Sequence, residues 1–210
     1  MLGPHVDERW LVVARGLVVG ALLLLLWPRY TELLRRSRVG GNPAEAPERM
    51  AWIPASAGMT ILSIAVGVAV FFAWVNLDQS WNSFEMGKGF VPLRGDGALD
   101  IPLVALRILG IALVVPVMEE LFWRSLVMRW IDHRDFLAVD PRRASLIAFA
   151  LSSALFALEH SQWLAGLLAG AAYAWLYMRS GNIWIPIISH ATTNGILATW
   201  IVATGSWRFW

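Results

Sequence analysis

The sequence contains no cysteine, which excludes disulfides, thiolate nucleophiles and thiolate metal sites. Charged residues are also scarce: they make up 15% of the 210 residues, whereas 58% are hydrophobic. A soluble domain has about half apolar and about a quarter charged residues. The formal net charge of +2 is small and does not indicate a nucleic-acid surface. The composition therefore places the chain outside the class of soluble globular proteins.

The hydrophobic residues are concentrated in runs long enough to cross a bilayer, which takes about 20 residues as a helix. Six spans are predicted, at residues 10–27, 59–77, 144–160, 163–178 and 183–203, with the third beginning near Ile101 and meeting Pro116. The 13 tryptophans suit this class, because indole rings settle at the lipid–water boundary. The predicted fold is therefore an all-α, polytopic transmembrane helix bundle.

Arginines are distributed unevenly among the predicted connections. They are frequent in 28–58 and 132–143 and absent from the turn Ser161-Gln162. Because cytoplasmic connections carry an excess of basic residues, we expect the arginine-rich ones to be cytoplasmic and both chain ends to lie on the far side. Pro28-Arg29-Tyr30 follows the first run in place of a cleavage site, so we expect this run to remain as a span.

The first of three polar groups in the apolar runs is Glu119-Glu120-Leu-Phe-Trp-Arg124. Ionisable residues at membrane depth are costly and usually functional. Glu120 and Arg124 lie at i and i+4 and can pair on one helix face, whereas Glu119 points about 100° away. We infer that Arg124 holds Glu120 ionised and that Glu119 faces a cavity as a general base. The alternative is that both glutamates mark a cytoplasmic helix end.

The other two groups lie on later spans. Phe156-Ala-Leu-Glu159-His160 ends the fourth span, and His190-Ala-Thr-Thr-Asn194 lies within the sixth. His160 by itself is more typical of an interfacial residue than of a catalyst, and we interpret Glu159 as a boundary charge outside the site. The i, i+4 spacing puts His190 and Asn194 on one face, where both can donate hydrogen bonds to developing negative charge. The alternative is a polar face that binds helices to one another.

The three groups can meet only if the third helix is long. With a rise of about 1.5 Å per residue, a helix that continues to Ile131 puts Glu119 about 18 Å above the cytoplasmic end. The same estimate puts His160, His190 and Asn194 about 12 to 24 Å above the ends of their helices. We therefore predict a long or kinked third helix that carries the Glu-Glu motif.

The ordered set Glu-Glu-x-x-x-Arg, Phe-x-x-x-His and His-x-x-x-Asn resembles the CPBP family, which covers CAAX-type proteases and bacteriocin-processing or abortive-infection (ABI) membrane proteins. The resemblance spans roughly residues 115–194 and includes Val115-Pro116-Val-Met-Glu119. Ser125 departs from the pattern, because family members often have glycine there. A closer likeness is to the bacterial branch associated with exosortases, and the implied location is the bacterial inner (cytoplasmic) membrane.

The resemblance implies an intramembrane endopeptidase of the glutamic type that uses no cofactor and cleaves a membrane-associated peptide or protein. By this resemblance, Glu119 and His160 would activate a water that attacks the scissile carbonyl. His190 and Asn194 would stabilise the oxyanion, and Arg124 would orient the two glutamates. The predicted catalytic residues are Glu119, Glu120, Arg124, His160, His190 and Asn194.

The chain is accordingly divided into N-terminal membrane spans and loops, residues 1–100, and a catalytic helix bundle, residues 101–210. Gly166 and Gly170 are one turn apart and predict tight packing of the fifth span against a motif-bearing helix. Two other functions stay open. Glutamate and histidine also suit a zinc-dependent membrane metallopeptidase, although a His-Glu-x-x-His helix is lacking. A non-catalytic immunity or scaffold protein could use the same polar groups to hold helices together.

Overall fold

The computed structural model describes residues 8–34, 57–84 and 91–210. Its main helices occupy the positions of the six predicted spans. They are α1 (Glu8–Leu26), α2 (Ala57–Asn76), α3 (Ile101–Asp132), α4 (Leu146–Leu158), α5 (Trp163–Ser180) and α6 (Trp184–Thr204). A short helix, Thr31–Leu34, follows α1. The described residues form isolated bridges but no strand, which confirms the all-α fold.

The helices differ in their capacity to cross a membrane. Within the described parts of the chain, four segments are long and apolar enough: Trp10–Arg29, Ala57–Asn76, Ile101–Asp132 and Trp184–Thr204. The fourth predicted span, α4, is apolar but has only 13 residues. The fifth, α5, has 18 residues and buries its small and polar side chains against its neighbours. The chain is therefore an integral membrane protein in which four helices have the length and hydropathy of full spans. Most of the predicted loop 28–58, and residues 85–90 of the loop 78–100, lie outside the described residues.

The predicted long third helix is confirmed, because α3 continues over 32 residues. Two π-helical segments interrupt its α-helical geometry. One, Gly110–Val114, comes directly before the turn that contains Pro116, and the other, Leu121–Met128, comes directly after Glu120. Wider π turns are frequent at functional sites. In α3 they adjoin both ends of the segment that carries the Glu-Glu motif.

Helices approach one another closely at three glycines. The most extensive packing joins α2 to α6 and α4 to α5. A Cβ at Gly170 would lie 3.0 Å from the Ser153 carbonyl oxygen, and one at Gly166 would lie 3.2 Å from His160 Cβ. The tight packing predicted for the fifth span against a motif-bearing helix is thus confirmed. A tighter approach than either of these, at Gly67 of α2, was not predicted from the sequence.

Substitution of Gly67 by alanine should destabilise the protein. An added Cβ would overlap the Ser189 carbonyl oxygen, so α2 and α6 would have to separate. We expect a loss of about 1–3 kcal/mol, the usual effect of overpacking. Gly195→Ala is the matched control, because its Cβ would meet nothing closer than 3.9 Å and alanine favours the helix. Equal melting temperatures of the two variants in detergent would contradict this placement of α2 against α6.

Candidate active site

The two glutamates of α3 have different surroundings. Glu120 is fully buried, and its Oε2 lies 3.1 Å from Arg124 Nε, one turn further along the helix. The side chain of Glu119 is 17% exposed, and its Oε2 has no hydrogen-bond partner within the described ranges. The predicted pairing of Glu120 with Arg124 is therefore present, and Glu119 is the carboxylate with hydrogen-bonding capacity left over.

His190 connects α6 to both carboxylates. Its Nδ1 lies 2.9 Å from Glu120 Oε1, and its Nε2 lies 3.9 Å from Glu119 Oε2. The first contact is a hydrogen bond, whereas the second is too long for one. The carboxylate of Glu120 can only accept, so the Nδ1 of His190 carries the hydrogen of the shorter contact. The i, i+4 pair on α3 and the histidine on α6 thus form one buried polar cluster with Glu119 at its edge.

His160, at the end of α4, is held on three sides. Its Nδ1 lies 2.8 Å from the Phe156 carbonyl oxygen. A carbonyl only accepts, so Nδ1 carries the hydrogen and Nε2 of the neutral ring keeps its lone pair. The imidazole packs against the Phe156 ring at 4.5 Å between centroids and against the edge of Trp74 at 5.2 Å. The fold therefore presents His160 Nε2 as an acceptor.

The ring of Phe156 joins the two histidines. Its centroid lies 6.0 Å from that of His190 and 4.5 Å from that of His160. The Arg124 guanidinium carbon lies 4.3 Å from the same ring, within the range of a cation–π interaction. The Phe-x-x-x-His motif thus brings His160 to the Glu–Arg–His cluster through an aromatic contact.

Asn194 has a backbone partner. Its Nδ2 donates to the Ile111 carbonyl oxygen at 3.1 Å. In the π segment, the Val115 amide donates five residues back, to Gly110. The next donor in that series would be Pro116, which has no N–H. The Asn194 amide therefore satisfies the carbonyl that Pro116 leaves without its helical partner, and it links α6 to α3.

This arrangement predicts that the energetic effects of Pro116 and Asn194 are coupled. Asn194→Ala should cost about 1 kcal/mol, because it removes a partly buried hydrogen bond and leaves the Ile111 carbonyl without this partner. In a Pro116→Ala background the restored N–H supplies a helical donor, so the same change should cost less. A double-mutant cycle on thermal unfolding in detergent measures the difference. Purely additive effects would show that Asn194 does not serve this carbonyl.

Tyr173 of α5 is a site residue that the sequence interpretation missed. Its ring stacks on His190, with centroids 4.8 Å apart and planes at 20°. Its hydroxyl donates to Thr193 Oγ1 at 2.8 Å, and that hydroxyl donates to the Gly67 carbonyl oxygen at 2.8 Å. Tyr173 thereby fixes the plane of the imidazole. The glycines dominate the sequence pattern of the fifth span, and nothing in it marks this tyrosine.

Glu159 also has a contact that the sequence did not indicate. Its Oε2 accepts a hydrogen bond from Trp123 Nε1 at 2.9 Å. The Trp123 ring also packs edge-on against Phe156, with centroids 6.3 Å apart. The sequence analysis interpreted Glu159 as a boundary charge. In the structure, its carboxylate connects the end of α4 to α3 beside Arg124.

A zinc site would need several side-chain ligands gathered around one point. Across residues 8–34, 57–84 and 91–210, no group of three or more His, Cys, Asp or Glu side chains is arranged to hold a metal ion. The zinc-dependent alternative therefore receives no support from the geometry of these side chains.

Apolar spanning helices around a buried, charged cluster define an integral membrane protein of the helical-bundle class. Residues 101–196 match the family model described as "Type II CAAX prenyl endopeptidase Rce1-like". The matched part contains α3 to α5 and most of α6, with all six predicted site residues. This match confirms the resemblance to the CPBP family that the three motifs indicated.

A relative in Bacillus subtilis (strain 168) supports the same class. It is named "Putative membrane peptidase YdiL" and is 27% identical over 143 residues, which cover 66% of this chain and 55% of that protein. The chain thus matches about half the length of this curated relative. No solved structure matches the chain.

Proposed function

We propose that the protein is an intramembrane endopeptidase that hydrolyses a peptide bond of a membrane-associated peptide or protein. The observation that carries the proposal is that the two glutamates have different partners. Glu120 is neutralised by Arg124, while Glu119 keeps a carboxylate oxygen without a hydrogen-bond partner in the described structure, 3.9 Å from His190 Nε2. A carboxylate in that position is suited to accept a proton from water.

In the proposed mechanism, Glu119 takes a proton from a water whose oxygen attacks the scissile carbonyl carbon. The Nε2 lone pair of His160 accepts the second hydrogen bond of that water and orients it. The protonated Glu119 then gives its proton to the amide nitrogen as the carbon–nitrogen bond breaks. One carboxylate thus serves as base and then as acid, and no proton is left over.

Two further groups are proposed to bind the oxyanion of the tetrahedral intermediate. The Nδ1 hydrogen of His190 is directed at Glu120, so Nε2 can donate to the oxyanion only when both ring nitrogens carry a hydrogen. Asn194 uses one amide hydrogen for Ile111 and has a second to donate. Fixed donors of this kind stabilise developing negative charge without reorganisation.

A non-catalytic role as an immunity or scaffold protein is the second candidate. It is favoured by the hydrogen bonds that join helices at this site, from Asn194 to Ile111 and from Tyr173 through Thr193 to Gly67. Such bonds hold transmembrane helices together whether or not a reaction takes place. The two candidates differ in whether any peptide bond is cleaved.

The test is a cleavage assay with the purified full chain in lipid vesicles. Membrane-associated peptides are incubated with the vesicles, and products are identified by mass spectrometry. We expect hydrolysis at a defined peptide bond that persists in the presence of a strong chelator. Loss of cleavage on chelation with recovery on added zinc would favour the metallopeptidase. Absence of cleavage from a diverse set of such peptides would favour the scaffold.

A further inference from the structure

The helix that leads to His160 is too short for a bilayer of ordinary thickness. α4 has 13 residues and is about 20 Å long at about 1.5 Å per residue, whereas the hydrocarbon core of a bilayer is about 30 Å thick. By contrast, α2 has 20 residues and matches that thickness. Tilt only reduces the distance that a helix covers along the membrane normal, so α4 falls short by at least about 10 Å.

One side of α4 is an exposed apolar surface. Five of its large apolar side chains are between 43% and 80% exposed. We call these residues the α4 face: Leu146, Ile147, Leu151, Leu155 and Leu158. A contiguous apolar surface of this kind marks contact with a membrane or with another protein. The surroundings of its two ends decide which of these covers it.

Polar groups stand at both ends of the α4 face. Arg142 and Arg143 are exposed just before the helix, and Glu159 and Ser161 are exposed just after it. The backbone that follows the helix is irregular, and the Ser161 carbonyl oxygen accepts a hydrogen bond from the Phe84 amide at 2.7 Å. Irregular backbone is not found in contact with lipid hydrocarbon. The apolar layer along α4 therefore ends at the turn 159–162.

Tryptophans mark the same level. Trp81 is 67% exposed, and its ring meets that of Trp163, with centroids 6.3 Å apart. Trp163 directly follows Gln162 of the turn, whose side chain donates to the Asp78 carboxylate at 3.0 Å. Indole rings collect at the lipid–water boundary. The end of α4 thus has the composition of a membrane interface, and His160 is part of it.

We propose that the bilayer is thinned along the α4 face, to about 20 Å of hydrocarbon, so that its polar boundary reaches the turn 159–162. A short hydrophobic segment can thin the surrounding bilayer at a modest cost per ångström. Water then reaches His160 from the side, through the headgroup layer, and an extended peptide can approach the same point without crossing a full leaflet. Thinning requires only the length and exposure of α4 and does not depend on peptidase activity.

The test uses the lack of cysteine in the chain, which allows single cysteines to be placed and labelled. The full chain is reconstituted in phosphatidylcholine bilayer discs, whose two faces are both open to a charged maleimide. This reagent reacts with the thiolate, which forms in water and is strongly disfavoured in hydrocarbon. Ser161→Cys should react about 100-fold faster than Val18→Cys, the factor implied by the cost of an ionised group at membrane depth.

Val18→Cys is the matched control, because Val18 lies in the middle of the spanning helix α1 and is 60% exposed on the protein itself. Both thiols should react at the same rate once the protein is unfolded in denaturing detergent. Equal rates in the discs would overturn the proposal.

Acyl-chain length distinguishes a thinned bilayer from a water-filled cavity inside the protein. Longer chains raise the cost of thinning, so labelling of Ser161→Cys should slow in discs of long-chain phosphatidylcholine. A rate independent of chain length would show that water reaches the turn through the protein and would overturn the proposal. Rapid disulfide cross-linking of two copies through Leu155→Cys, but not through Val18→Cys, would show that a second copy covers the α4 face and would also overturn it.

Discussion

Replacement of Glu119 by glutamine should lower the rate of peptide cleavage by about 10²–10⁴-fold, the usual contribution of a general base. Glutamine has nearly the same shape as glutamate but cannot take a proton from water. The cost to folding should be small, because the carboxylate of Glu119 lies 3.9 Å from its ionic neighbour, His190, and its Oε2 has no hydrogen-bond partner among the described residues. We therefore expect activity to be lost at an unchanged melting temperature.

Glu159→Gln is the matched control for this variant. It removes a second carboxylate close to the same cluster but keeps an oxygen that can accept the hydrogen bond from Trp123. Cleavage by the Glu159→Gln protein should stay close to that of the unaltered protein in the same vesicles. Undiminished cleavage by Glu119→Gln would reject Glu119 as the base. A parallel loss in both variants would show that the cluster responds to net charge and not to one proton acceptor.

Arg124→Met should be the most destabilising single substitution at the site. Arg124 and Glu120 are 1% and 0% exposed, so removal of the guanidinium leaves a buried carboxylate without its cation. Breaking a buried ion pair in this way costs about 3–5 kcal/mol. The same variant also loses the hydrogen bond from Arg124 Nη2 to the Gly170 carbonyl oxygen and the contact with the Phe156 ring. The measurement is thermal or denaturant unfolding in detergent.

The double variant Glu120→Gln/Arg124→Met distinguishes the two contributions to that loss of stability, the broken ion pair and the lost packing. Glutamine at 120 is neutral and can still accept from His190 Nδ1, so the double variant should regain most of the stability that Arg124→Met loses. Arg179→Met, which removes an exposed arginine from the last turn of α5, should have little effect. If the double variant were no more stable than Arg124→Met, the loss would come from packing and the ion pair would not be its cause.

Features that depend on local spacing could be predicted from the sequence. Glu120 and Arg124 are one turn apart, so they meet wherever the segment is helical, and the contact is present. The length of α3 could be predicted because the three polar groups can meet only if Glu119 lies well above the cytoplasmic end of its helix. The glycine pair of the fifth span predicted close packing, because a residue without a Cβ lets two backbones approach. The roles assigned to the six site residues stay predictions.

Contacts between helices could not be derived in the same way. That His190 bonds to Glu120 and only approaches Glu119 depends on the rotation of α6 about its axis. Tyr173 reaches His190 because α5 packs beside α6 at that height. The partner of Asn194 is set by a π turn in another helix, and the close approach at Gly67 is set by the position of α2. None of these follows from spacing along one helix.

The sequence by itself determined that the chain is an apolar, all-helical membrane protein with three polar groups on separate helices. These conclusions follow because a helical span requires about 20 apolar residues, and because burial of an ionisable group in the bilayer is energetically costly. Only the tertiary structure decided which of those groups touch. Side-chain contacts between helices depend on the rotation, offset and separation of the helices. Small residues, and hydrogen bonds between residues far apart in the chain, determine all three.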